Sequence, residues 1–162
     1  MTILIETASP AVLPEIASLA TEIWHEHYDA LLGPAQVDYM LEHYQSTDAL
    51  TRQLQEGYTY LTARQDGKLI GYCGYHPEKE RLFLSKLYVE KAFRGRGISR
   101  MFLEKLRVAA AGKSAIYLTV NKENEGSIAV YRKLGFRTID AVTTDIGQGY
   151  VMDDYIMELP LC

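Results

Sequence analysis

The sequence predicts an α+β fold, with one mixed, mostly antiparallel sheet of six to seven strands flanked by helices. Three features point there. Tyr58 to Ala63 and Lys68 to Tyr75 are alternating, β-rich runs, and Gln65-Asp66-Gly67 between them is a hairpin turn. Leu82 to Val89 (LFLSKLYV) is too continuously apolar to be wetted on one face and reads as a strand lying mid-sheet. Behind it, Met101, Phe102, Leu106 and Ala109 recur at helical spacing through Gly112, with Arg100, Glu104, Lys105 and Arg107 on the other face. A buried strand therefore runs through a glycine-punctuated loop into a helix.

The remaining elements follow in order. MTILIETASP opens the chain as the first strand, with neither the basic region of a signal peptide nor the length of a membrane span. Ser9-Pro10 starts a first helix reaching about Leu31, with Leu13, Ile16, Ala17, Ala20, Ile23, Trp24 and His27 on one face. Gly33-Pro34 breaks the chain. Val37, Met40, Leu41 and Tyr44 then mark a second helix, and Leu50 with Leu54 a short third one after Ser46-Thr47-Asp48. A turn around Pro77-Glu78-Lys79-Glu80 leads into the central strand, so the first four strands form an antiparallel meander. Ala115 to Val120 is the fifth strand, beside the fourth. Asn124 caps a further helix, with Glu125 complementing its dipole and Ile128, Tyr131 and Leu134 on one face before Gly135. Arg137 to Thr143 and Tyr150 to Leu159 close the sheet around a loop holding Gly147 and Gly149. With no repeat, linker or low-complexity segment, residues 1–162 read as a single domain.

Composition narrows the function. Hydrophobic residues at 48% and charged residues at 23% suit an ordinary soluble domain. With 17 Lys and Arg against 21 Asp and Glu, the net charge of −4 supplies no overall basic field for nucleic acid or an anionic membrane. Cys73 and Cys162 show no metal or redox spacing, and a reducing cytoplasm fits them best. His25-Glu26-His27 is no metal motif, since side chains two apart on a helix face different ways.

Arg94-Gly95-Arg96-Gly97-Ile98-Ser99 carries the chemistry. The first amides of a helix lack internal partners and carry the positive end of its dipole, making an anion site wherever a ligand can come close. Gly95 and Gly97 clear the approach, while Arg94 and Arg96 add fork-shaped donors suited to a diphosphate. A tight turn with solvated arginines is the alternative. A Walker loop is absent, because Ile98-Ser99-Arg100 stands where Gly-Lys-Ser/Thr would be needed. A dinucleotide fingerprint would require an acid on the next strand, which ends in Asn121-Lys122.

These residues resemble the GNAT superfamily of acetyl-CoA-dependent N-acetyltransferases. Its phosphate motif is matched by Arg94, Gly97 and Ser99, with Ser in the last, usually Gly or Ala, place. Its second signature is matched in register by Asn124, Ser127, Tyr131 and Gly135-Phe136. The likeness is specific over the C-terminal half and rests on element order elsewhere; it is looser toward small bacterial polyamine-type members. It implies a GNAT fold whose strands four and five splay to admit acetyl-CoA, with no metal. Leu87, Tyr88 and Val89 would line the pantetheine arm, the Val89 amide polarising the thioester carbonyl. Arg94, Gly95, Arg96, Gly97, Ile98 and Ser99 would hold the diphosphate, and Asn124, Ser127 and Tyr131 would complete the cofactor site. Tyr131 would donate a proton to the departing thiolate; core packing is its alternative role. Tyr28, on a helix that would line the acceptor entrance, is the substrate-side candidate, against simple packing with Trp24 and His27.

The acceptor implied is a small-molecule or peptide amine, and a homodimer stays open. Glu22, Glu26, Asp29, Asp145, Asp153 and Asp154 could attract a polyamine or could simply be solvated. From Leu82 to Val89 the only polar side chains are Ser85 and Lys86, so the carboxylate many relatives place there is missing. Tyr75 or His76 acting through water, or an acceptor that arrives neutral, would replace it. A silent acyl-CoA-binding sensor is the competing reading, and Tyr131, which a sensor does not need, favours the enzyme.

Overall fold

The computed structural model describes residues 2–161; Cys162 lies outside them. Seven strands form one sheet in the order β1-β2-β3-β4-β5-β7-β6. They are β1 (Ile3–Thr7), β2 (Thr59–Gln65), β3 (Lys68–Pro77), β4 (Arg81–Val89), β5 (Ala115–Asn121), β6 (Arg137–Gly147) and β7 (Tyr150–Pro160). The helices are α1 (Leu13–Leu32), α2 (Pro34–Met40), α3 (Thr47–Gln55), α4 (Ile98–Ala109) and α5 (Glu125–Lys133).

The first four strands are an antiparallel meander, joined between β2 and β3 by Asp66 and Gly67 at φ 52° and 82°. Two successive positive φ values give the hairpin turn whose twist matches its strands. Only β4 and β5 run parallel, and they pair only from Arg81–Phe83 against Ala115–Tyr117. Beyond Phe83 the two strands part, while β5 stays paired with β7 out to Asn121 and Asp154. The sheet is therefore open along one side of β4 from Leu84 to Val89.

Three boundaries differ from the sequence reading, each for a local reason. Residues Pro10–Val12 form a 3-10 turn and α1 begins at Leu13, with Pro14, which has no N–H to lose, in its first turn. The second helix ends at Met40 and continues as a π turn over Leu41–Gln45 before Ser46 caps α3, accepting the Ala49 amide at 3.1 Å. Strand β6 runs past Thr143 to Gly147, because pairing with β7 continues to the two-residue turn at Gln148 and Gly149.

Two cores lie on opposite faces. Alternation along β2 sends Tyr60 toward α1, α2 and α3, where Ile16, Ala20, Val37 and Leu50 are wholly buried. Leu61 and Ala63 turn the other way, toward Phe102 and Leu106 of α4 and Ile128 of α5. Helices clamping both faces keep the sheet fixed where β4 and β5 diverge.

Candidate active site

Two cavities flank the opening between β4 and β5. The loop-side cleft, about 470 Å³, is walled by Val89, Phe93, Arg94, Gly95, Gly97, Ile98, Ser99 and Arg100 with the Gly126–Ser127 end of α5. The hairpin-side cavity, about 370 Å³, lies among α1, β4, β5 and the β6–β7 hairpin. Leu87, Tyr88, Ser127 and Tyr131 line both, so the cavities meet there.

The loop-side cleft is built from groups that can hold an anion. The first helical bond of α4 runs from the Met101 amide to the Gly97 carbonyl at 3.0 Å, leaving the Ile98, Ser99 and Arg100 amides ahead of it. Gly97, the N-cap, sits at φ 78° and ψ 14°, a left-handed conformation that a side chain resists, and it provides no side-chain cap of its own. A Cβ added to Gly95 or Gly97 would meet nothing within 4 Å, so the space in front of these amides is open. The Nε of Arg94 donates to the Val89 carbonyl at 3.1 Å, fixing the guanidinium at the end of β4. Arg96 lies outside the cleft lining; it rests over Phe93 at 5.0 Å and reaches Gln65 Oε1 at 3.4 Å.

Backbone polarity continues the site into the gap. The Glu90 amide bonds to the Ile70 carbonyl of β3 at 2.8 Å. Peptide groups alternate in direction along a strand, so the Leu87 and Val89 amides turn away from β3, toward the open side. They present a free strand edge to whatever enters.

Tyr131 stands at the junction, its ring edge-on to Phe136 with centroids 5.8 Å apart. Burial pushes its hydroxyl well above the ordinary phenol range, with Tyr28 and Cys73 adding to the effect, so it keeps its proton at neutral pH. Tyr28 is buried in the wall of the hairpin-side cavity, its ring 4.6 Å from Trp24. Asn124 is buried there too, with its polar atoms committed to protein groups. Its Oδ1 accepts from the Ser127 amide at 3.2 Å and from His27 Nε2 at 2.9 Å, and its Nδ2 donates to Tyr28 at 3.1 Å. Asn124 thus holds α5 in place instead of facing the loop-side cleft.

A family model matches residues 17–136 of this chain to the acetyltransferase (GNAT) family. The chain belongs to that family. Among the relatives, the uncharacterized protein ML0378 of Mycobacterium leprae is 38% identical over 96 residues, which is 56% of this chain and 26% of that one. The N-alpha-acetyltransferase RimI of Mycobacterium tuberculosis is 34% identical over 97 residues, 56% of this chain and 60% of its own. The matched stretch thus spans less than two thirds of either relative. The crystal structure of the PaiA N-acetyltransferase from Thermoplasma acidophilum in complex with coenzyme A superposes with a TM-score of 0.83 at 23% identity, covering 99% of this chain and 100% of that one. That likeness is one of fold.

Two polar residues of the hairpin-side cavity gain their surroundings only in three dimensions. Lys86 is buried, 5% exposed, on the wall of the hairpin-side cavity. Its Nζ bonds to Gln53 Oε1 at 2.8 Å and the Tyr60 hydroxyl at 2.9 Å, and Tyr60 also donates to Gln53. Burial lowers its pKa to about 7. Asp154, 4% exposed on β7, lines the same cavity, and burial raises its carboxyl to about 6. In the sequence Lys86 stands out by its polarity within an apolar strand, and Asp154 is one of six acids that could attract a polyamine or be solvated, with nothing to separate it from the other five.

Proposed function

We propose that this chain moves the acetyl group of acetyl-CoA directly to a primary amine of a small molecule or peptide, with residues 1–162 acting as one N-acetyltransferase domain. The observation that carries this reading is the meeting of two cavities at Leu87, Tyr88, Ser127 and Tyr131. A transferase without a covalent acyl-enzyme needs its two substrates to approach one point from separate sides.

The residues of the loop-side cleft suit coenzyme A. The open amides of Ile98, Ser99 and Arg100, with the anchored Arg94, offer donors to a diphosphate. The outward-turned Leu87 and Val89 amides offer strand pairing to an amide-bearing arm leading toward the junction. The cofactor's contribution is an activated thioester carbonyl. Here the Val89 amide supports the charge gathering on that carbonyl oxygen. Tyr131, kept protonated by its surroundings, hands a proton to the leaving sulfur.

The acceptor enters on the hairpin side. Of the six acids that could have drawn a polycation, Asp154 alone lines this cavity. Asp29 is engaged with His25 at 2.8 Å, and Asp153 with Lys122 at 2.9 Å. One acid against a buried Lys86 suits one ammonium group better than a string of them, which favours a peptide α-amine or a monoamine over a polyamine. RimI, an N-alpha-acetyltransferase by name, is consistent with that preference.

The test is calorimetry with acetyl-CoA, followed by a thiol-release assay across spermidine, an aminoglycoside and an alanine-initiated peptide. Acetyl-CoA that fails to bind would end the transferase reading; turnover of spermidine alone would reverse the acceptor preference.

A further inference from the structure

We infer that Asp154 seats the acceptor's ammonium group in the hairpin-side cavity and takes one proton from it before acetyl transfer. This rests on the transferase reading above. The carboxylate is 4% exposed, it forms part of the cavity wall, and its Oδ1 has no hydrogen-bond partner among the described residues. An unpaired buried carboxylate oxygen costs stability, and a native site that keeps one is shaped for a donor from outside.

Its surroundings leave it free for that donor. Asp154 pairs with Asn121 on β5 and with Val142 on β6, neither of which carries charge. From β7 the neighbouring Asp153 pushes its pKa up and from the β5 end Lys122 pulls it down, but those two side chains are bonded to each other at 2.9 Å. From α1, the Tyr28 hydroxyl senses the Asp154 charge and is itself tied to Asn124 at 3.1 Å. The cationic side chain on the cavity wall, Lys86, is held by Gln53 and Tyr60, and the tyrosines that share the wall are neutral at pH 7. Asp154 is therefore the acid in this cavity whose Oδ1 is left without a hydrogen-bond partner among the described residues, and it supplies the carboxylate that β4 lacks.

The protons balance. The ammonium gives one proton to Asp154, and the neutral amine's lone pair forms the C–N bond as the thioester C–S bond breaks. Tyr131 gives its proton to sulfur and recovers one from the acylated nitrogen, and Asp154 releases its own to water. A carboxyl with its pKa raised to about 6 by burial is better matched to this duty than an ordinary surface aspartate.

The probe is butylammonium, titrated by NMR into wild type and Asp154→Asn, each with and without bound coenzyme A, with 1-butanol as the uncharged control. Butylammonium should bind the variant about tenfold or more weakly, the loss typical of a charge-assisted bond, while butanol binds both alike. In wild type alone it should also lower the midpoint of the Asp154 carboxyl titration, a readout independent of how the variant folds. Absence of butylammonium binding to wild type, or equal binding by the two proteins, overturns the seat. A rate deficit that persists with 2,2,2-trifluoroethylamine, an acceptor already neutral at pH 7, overturns the proton transfer. Failure of coenzyme A alone to bind would strike the transferase reading and leave the ligand-free titration still reporting on Asp154.

Discussion

Asn124 donates a hydrogen bond from Nδ2 to the Tyr28 hydroxyl at 3.1 Å, joining residues 96 positions apart. The same side chain caps α5 through its Oδ1, so one asparagine fixes α1 and α5 against each other in the wall of the hairpin-side cavity. With Nδ2 committed to Tyr28, Oδ1 faces His27, whose Nε2 must then carry the ring proton.

Replacing Asn124 should therefore cost more than a helix cap. Asn124→Ala is expected to destabilise by about 2–3 kcal/mol in urea unfolding, combining a lost cap with a buried tyrosine hydroxyl left unpaired. Asn124→Asp keeps a capping oxygen and loses only the donor to Tyr28, so it should fall between the two. Equal losses for both variants would mean that the bond to Tyr28 carries the whole effect.

Tyr131→Phe keeps the ring packed on Phe136 while removing the proton donor. Turnover should drop about a hundredfold, with acetyl-CoA affinity by calorimetry nearly unchanged. A large loss of affinity with intact turnover would return Tyr131 to a packing role.

Gly97→Ala forces a side chain into a backbone at φ 78°, although its Cβ would touch nothing. The cost is conformational, about 1–2 kcal/mol, and falls on the loop that presents the α4 amides. Acetyl-CoA binding should weaken with little change in the far-ultraviolet circular dichroism. Unaltered affinity would show that the loop tolerates the change by moving away from the ligand.

Lys86 gives a signed pH dependence. Its folded-state pKa of about 7 lies below the ordinary 10.5, so between those values the unfolded chain holds a proton that the folded chain lacks. Stability conferred by this site should therefore rise with pH across that window. The difference in unfolding free energy between wild type and Lys86→Met, measured from pH 6 to 10, should shift in favour of wild type as pH rises. A flat difference would mean that Lys86 keeps its charge when folded.

Much of this was legible in the residues because it is locally encoded. Hairpin turn, helix caps and the run from β4 through Gly97 into α4 depend on neighbours a few positions apart, and so do the two signatures that place the chain among GNAT proteins. What each side chain faces was not legible in the same way. Arg96 shares its motif with Arg94 yet turns toward Phe93 and Gln65, because the left-handed residues around it redirect the chain.

Local sequence set the order of elements, the glycine-arginine loop at the head of α4 and a tyrosine within α5, since periodicity, capping and backbone freedom act over short stretches of chain. Packing between distant segments sets the parting of β4 and β5 after Phe83, the reach of both cavities to Tyr131, and the burial of Asp154 with its Oδ1 unpartnered among the described residues while Asp153 beside it is paired at the surface. Burial and charge pairing are set by which distant segments pack together. Two adjacent aspartates on one strand therefore acquire different chemistry only when opposite faces of the sheet meet different surroundings.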